Sequence, residues 1–211
     1  MKPKVNIRYN PNLDEVFKPF CLSLPKFKDY KIPTQEEIDK RIQEYKDAWS
    51  PIETVVFSTI EKKTHRKFPY SIVDVSVVSA CHRQYSLAIV IGAHVKVGDF
   101  LNRFIHELVH KSGYGWTKEF TEKFGKEPKL LKNHIIVHAL LEHIFTDVLK
   151  RPELIEINKK SCLKHETDEY TQAWKIVEEV GYKKILDTYV KKPRNLFLRF
   201  RPSLSYFKDR R

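Results

Sequence analysis

Apolar residues recur with the period of an α-helix in three stretches of the chain, at residues 100–108, 136–148 and 170–180. Such a stripe predicts an amphipathic helix that buries one face in a core. Gly113 follows the first stretch and Gly181 follows the third, where glycine commonly ends a helix because it tolerates left-handed backbone angles. We therefore predict three helices, the first of them entered through a turn at residues 97–99 with Asp99 as N-cap.

Two further helices are predicted from their start signals. Thr34 is followed three residues later by Glu37, which is the spacing of a capping box and predicts a helix to about Trp49. Pro51 suits the first turn of a second helix that reaches about Lys63. The first half of the chain therefore contains a helical pair before any strand.

Two stretches have the pattern of β-strands. In residues 71–80 the valines alternate with other residues, and residues 85–93 contain a continuous apolar run. Residues 81–84 would connect them. The order up to Gly113 is thus helix, helix, strand, strand, helix, which predicts an α+β domain with a small sheet.

The N-terminal segment has a different composition. Five prolines are distributed through residues 1–33, and because proline breaks helices we expect no long helix there. We predict an extended N-terminal arm over residues 1–33, a domain over residues 34–190 and a basic tail over residues 191–211.

The first helical stretch contains the sequence His-Glu-Leu-Val-His at residues 106–110. In a helix, His106 and His110 lie one turn apart on the same face with Glu107 beside them, so the two imidazoles can bind one metal ion. Zinc suits neutral imidazole ligands, and a neighbouring carboxylate can take a proton from a zinc-activated water. The motif therefore predicts a Zn²⁺ site with His106 and His110 as ligands and Glu107 as catalytic residue.

The order of a small sheet, this motif helix and a second helix resembles the zincin fold of metallopeptidases over roughly residues 52–150. The resemblance implies a zinc-dependent peptidase of the endopeptidase type, which acts on a polypeptide substrate held against an edge strand. In that family the motif glutamate is general base and then general acid, a role that would fall to Glu107. The metzincin subfamily does not fit, because Trp116 occupies the position of its third ligand and the only methionine is Met1.

A third metal ligand is expected on the helix at residues 133–149. When this segment is projected at 100° per residue, His134 lies nearest the centre of its apolar face and His138 lies next to it. The buried pair is thus His134 and His138. We take His138 as the predicted third ligand and keep His134 as an alternative.

Resemblance to two subfamilies adds further candidates. Residues 142–147 match the spacing of the ligand helix in gluzincins, with His143 where that family has its glutamate and Glu142 one residue earlier. SprT-like peptidases instead complete the site with a histidine at the start of a late helix, which corresponds loosely to His165. His165 and Tyr114 are also candidates for a hydrogen-bond donor in the transition state.

Charge suggests a second class of function. The chain has a formal net charge of +12, and residues 183–211 hold ten basic and two acidic residues interleaved with aromatic ones. Such segments bind nucleic acid through phosphate contacts and stacking. The alternative prediction is therefore a non-catalytic nucleic-acid-binding protein with a structural metal.

Three widely spaced cysteines argue against a disulfide framework and for a reducing compartment. No signal peptide and no membrane-spanning run is evident in the sequence. We expect a cytoplasmic protein without a membrane partner.

Overall fold

The computed structural model of the chain describes residues 3–81, 88–163 and 167–192. Its sheet has three strands, and all three run parallel in the order β1, β2, β3. They span Lys4–Tyr9, Ile72–Val78 and Ile89–Gly92. With nine α-helices in the described ranges, the structure confirms the α+β class.

The helices follow one another around this sheet with short connections. They are α1 Pro11–Leu22, α2 Gln35–Trp49, α3 Glu53–Thr64, α4 Val97–Lys111, α5 Lys118–Phe124, α6 Lys129–Glu142, α7 Glu153–Cys162, α8 Glu169–Val180 and α9 Tyr182–Tyr189. A π-helical segment, His143–Val148, continues directly from α6, and a 3₁₀ turn, Pro25–Phe27, follows α1. None of these helices combines the length and the apolar composition that crossing a bilayer requires.

Local signals predicted several helix ends correctly. The capping box of α2 is present, because Glu37 N donates to Thr34 Oγ1 at 3.3 Å and Thr34 N donates to Glu37 Oε2 at 2.7 Å. Gly113 follows α4 with φ +66° and Gly181 ends α8 with φ +85°. The start of α4 differs from the prediction, since the helix already begins at Val97 and Asp99 lies in its first turn rather than at the N-cap.

The prediction of an extended arm without a long helix over residues 1–33 is wrong. Residues 4–9 form β1 and pair with β2 along its length, with Ile7 buried. The 12 residues of α1 follow, capped by the side chain of Asn10, with Pro11 in the first turn and Pro19 inside the helix. Pro11 is compatible with a helix start because the first helical N–H groups have no intrahelical partner.

The strands predicted at residues 71–80 and 85–93 correspond to β2 and β3, and residues 85–87 lie outside the described residues. Beyond Cys81, the connection predicted at residues 81–84 lies outside the described residues, as does most of the predicted tail. At residue 190, where the predicted domain ends, Val190 forms an isolated antiparallel bridge with Trp116. All three cysteines are buried as free thiols.

Helix α4 is the central element of the core. It contacts β3, α2, α6 and α7, and its apolar side chains are almost completely buried: Phe100, Leu101, Phe104, Ile105, Leu108 and Val109. Tyr45 of α2 stacks on Phe100 with ring centroids 4.1 Å apart. The motif histidines are therefore carried by a helix held on several sides, which suits a site that needs fixed geometry.

Candidate metal centre

Three histidines from two helices converge in the interior. Nε2 of His110 lies 3.0 Å from Nε2 of His106 and 3.3 Å from Nε2 of His134. His106 is 8% exposed, His134 is 3% exposed, and His110 is partly exposed. These three residues form a group that could hold a metal ion.

The helices impose this arrangement. One turn of α4 separates His106 from His110, and α6 packs against α4 so that His134 faces both. Nδ1 of His134 is 2.8 Å from the carbonyl oxygen of Leu130. Because a carbonyl can only accept, Nδ1 carries the proton and Nε2 presents its lone pair toward the other two rings.

The separations fit a tetrahedral metal. Ligand nitrogens at the usual zinc–nitrogen distance are about 3.3 Å apart in a tetrahedron, which agrees with the observed 3.0 and 3.3 Å. Burial, and then the neighbouring His134, lower the pKa of His110 to about 3, so its imidazole is neutral at pH 7 as ligation requires. The donor set suits zinc and also other imidazole-binding divalent metals, so the structure supports a metal site without fixing the metal.

The predicted catalytic residue lies beside this cluster. Glu107 follows His106 on α4 and is only 2% exposed. Its negative charge acts on Tyr170 of α8, where burial first and Glu107 second raise the pKa of the phenol. Glu107 and Tyr170 are therefore close enough to interact, on the side of α4 that carries the histidines.

Tyr170 is a site residue that the sequence did not reveal. Its ring packs on His134 with centroids 4.2 Å apart. The spacing of apolar residues identified it correctly as a packing residue of α8. Only the crossing of α8 over α6 brings the ring against His134, a candidate metal ligand, and helical periodicity carries no signal for that crossing.

His138, the preferred third ligand, is not part of the three-histidine group. It is fully buried one turn beyond His134, and its ring stacks on Trp174 with centroids 4.4 Å apart. Neither ring nitrogen has a hydrogen-bond partner among the described residues. Burial, then His134 and His110, hold the pKa of His138 well below its usual value. The structure thus brings together the alternative ligand, His134, and leaves His138 beside the site.

The candidates from subfamily resemblance lie elsewhere. Nδ1 of His143 is 2.9 Å from Asp147, whose carboxylate also accepts from Tyr182 at 2.9 Å. His143 thus belongs to a cluster on the π-helical segment and does not join the three histidines. Glu142 is partly exposed, and burial, partly offset by Lys159, raises its pKa.

Of the two predicted hydrogen-bond donors, His165 lies outside the described residues. The hydroxyl of Tyr114 donates to the carbonyl oxygen of Asn133 at 3.0 Å. That bond joins the loop after α4 to the residue preceding His134. Tyr114 therefore helps to fix the position of His134 relative to α4.

A buried network of hydrogen bonds connects the motif helix α4 to the neighbouring helices α7 and α8. Asn158 of α7 donates to Asn102 of α4 at 2.6 Å and accepts from the indole of Trp174 at 2.9 Å. Asn102 in turn donates to the carbonyl oxygen of Leu154 at 2.6 Å. Trp174 lies on α8, which also carries Tyr170, and it stacks on His138 of α6. The network therefore connects the motif helix to both α8 and α6.

Comparisons of the chain with protein-family models, with curated proteins and with solved structures found no match.

Proposed function

We propose that the protein is a zinc-dependent peptidase that uses His106, His110 and His134 as metal ligands. The observation that carries this proposal is the convergence of three Nε2 atoms at 3.0 and 3.3 Å beside a buried glutamate. Three protein ligands leave a fourth tetrahedral position for water or substrate, which is the pattern of catalytic zinc sites. The His-Glu-x-x-His resemblance supports a peptide bond as the bond that is cleaved.

Each site residue has a task in such a reaction. A zinc ion in this position would polarise the scissile carbonyl and make a bound water more acidic. Glu107 accepts the proton of the attacking water and delivers it to the amine nitrogen of the leaving group. Tyr170, which packs on His134, offers a phenol that can donate to the developing oxyanion.

Exposure favours one direction of approach. His106, Glu107 and His134 are buried, whereas His110 and Tyr170 are partly exposed. A substrate would therefore reach the metal from the side of His110 and Tyr170. The low exposure of the other residues keeps bulk water away, which strengthens electrostatic interactions within the site.

The proposal is tested by Glu107→Gln, because the amide keeps the shape of the side chain but cannot act as base. We expect the purified variant to bind zinc at the wild-type stoichiometry and to lose hydrolysis of an unfolded protein substrate by at least about 100-fold. Glu127→Gln, which changes an exposed glutamate, is the matched control and should keep full activity. Undiminished hydrolysis by Glu107→Gln would overturn the mechanism.

A second candidate is a nucleic-acid-binding protein with a structural metal. The formal net charge of +12 favours binding of an anionic polymer, and the burial of His106 and His134 suits a metal that stabilises the fold. For this function, zinc-loaded protein should bind oligonucleotides with strong salt dependence, and Glu107→Gln should leave that binding unchanged. Hydrolysis that depends on Glu107 would reject this candidate as the function of the metal site.

A further inference from the structure

A cleft lies at the carboxyl end of β3, and the three clustered histidines do not line it. The strand β3 ends at Gly92, and the next two residues, Ala93 and His94, line a cavity of about 380 Å³. Ligands of parallel sheets bind preferentially outside the carboxyl ends of the strands. The volume lies in the range that accommodates a small molecule.

The charges that line this cleft are unbalanced. Its two acidic residues are already engaged, because Glu37 accepts from the backbone of Thr34 at 2.7 Å and Glu44 accepts from Arg41 at 2.7 Å. Lys31 and Lys40 also line the cleft, and among the described residues neither has a carboxylate within ion-pair distance. Because Arg41 is paired with Glu44, the two lysines outnumber the one remaining carboxylate, Glu37, and the lining carries a net positive charge.

Arg103 of α4 adds a further positive charge that acts on His94. This arginine is only partly exposed, and no carboxylate of the described residues forms an ion pair with it. Although His94 is exposed, loss of hydration at its ring, followed by the charges of Arg103 and Lys26, lowers its pKa. The charge of Arg103 thus adds to the positive potential at the ring that lines the cleft.

The floor of the cleft is held in a fixed shape. Tyr30 donates its hydroxyl to the carbonyl oxygen of Ser79 at 2.6 Å, and His94 packs edge-on against Phe27 and Tyr30 with centroids 5.7 and 5.5 Å away. A Cβ at position 92 would meet the His94 ring, so the ring can keep this position only because residue 92 is glycine. A preformed cleft loses little conformational entropy when a ligand binds.

We propose that this cleft binds the oxyanionic group, phosphate or carboxylate, of a small molecule through Lys31 and Lys40. Lysine donates charge-assisted hydrogen bonds to both kinds of group. The cleft is distinct from the metal centre, because none of the residues that line it belongs to the three-histidine group. The proposal is independent of the peptidase activity.

The test measures binding of inorganic phosphate and of succinate to the full chain by calorimetry, at constant ionic strength set with chloride. The site variant is Lys31→Gln with Lys40→Gln, and the matched control is Lys126→Gln with Lys175→Gln. All four lysines are exposed, so neither double variant should disturb folding. Arg103→Gln, with its fold checked by circular dichroism, measures the contribution of the positive charge that acts on His94.

We expect saturable binding of one anion per chain, a loss of about tenfold or more in affinity for the lysine double variant, a smaller loss for Arg103→Gln, and no loss for the control. Stronger binding of phosphate would indicate a phosphorylated ligand, and stronger binding of succinate would indicate a carboxylate ligand. The proposal is overturned if neither anion binds beyond the chloride background. It is equally overturned if the control loses as much affinity as the site variant, because binding would then reflect overall basic charge.

Discussion

His138 lies flat against Trp174, with ring centroids 4.4 Å apart and an interplanar angle of 12°. This stacking holds the imidazole in the core, one helical turn from the histidine that faces the metal motif. His138, which helical periodicity places next to His134 on the apolar face of α6, is therefore a packing residue. The stacked His138 ring thus lies outside the three-histidine group that could hold a metal ion.

Substitution of His134 and of His138 should have clearly different effects on zinc binding. We expect His134→Ala to weaken zinc binding more than about 100-fold, because it removes a ligand and not merely a supporting group. His138→Phe should keep zinc at wild-type stoichiometry, since phenylalanine preserves the stack on Trp174. Metal content by mass spectrometry and competition with a chelator measure both. Loss of zinc in His138→Phe with retention in His134→Ala would reverse the assignment.

For His138→Phe we also predict the effect on the stability of the fold. Both nitrogens of His138 lack partners among the described residues, and each buried polar atom without a hydrogen bond costs about 1–3 kcal/mol. His138→Phe should therefore unfold at a denaturant concentration equal to or above that of the wild type. A marked loss of stability would show that the imidazole nitrogens have a partner in solution.

Tyr170→Phe tests the hydroxyl proposed to stabilise the transition state. The ring contact with His134 would remain, so zinc binding should be unchanged. We expect kcat to fall by about 10–1000-fold, the range for removal of one oxyanion donor, with a smaller change in KM. Tyr182→Phe, which removes the hydrogen bond to Asp147, is the control. Equal activity of the two variants would exclude a catalytic role for the Tyr170 hydroxyl.

Asn158 is expected to matter for stability more than its size suggests. Asn158→Ala leaves the indole N–H of Trp174 and the amide oxygen of Asn102 without their partner, at a cost of about 3 kcal/mol. Asn6→Ala removes the exposed hydrogen bond to Asp74 and should cost less than about 1 kcal/mol. Urea unfolding of both variants measures the difference. Similar midpoints would mean that the buried network contributes little.

Two glycine substitutions should act in opposite directions. Gly181 has φ +85° and open space where a side chain would begin, so alanine is strained there by backbone conformation alone and should destabilise by about 1 kcal/mol. Gly98 lies in the first turn of α4, where a Cβ would make ordinary contact with Ile157 at 3.4 Å. Gly98→Ala should stabilise by about 0.5–1 kcal/mol. Thermal unfolding that shifts the same way in both would contradict this.

Features that depend on a few neighbouring residues could be read from the sequence. The capping box at Thr34 and Glu37 and the helix stops at Gly113 and Gly181 each involve one turn of backbone. The pairing of His106 with His110 is of the same kind, since helix geometry alone places residues four apart on one face. The prolines before residue 34 led to the wrong prediction of an arm without a long helix, because proline is also compatible with a helix start, as at Pro11.

Local patterns in the chain thus suffice for the α+β class, for most of the helices and for two of the three clustered histidines. They do not show that His134 rather than His138 meets the motif, or that Tyr170 packs on that histidine. Both histidines occupy the buried face of α6, and an axial shift of one turn, about 5.4 Å, would exchange them. That shift is set by packing among α4, α6 and α8, which involves side chains far apart in the chain and leaves no periodic signal in the sequence.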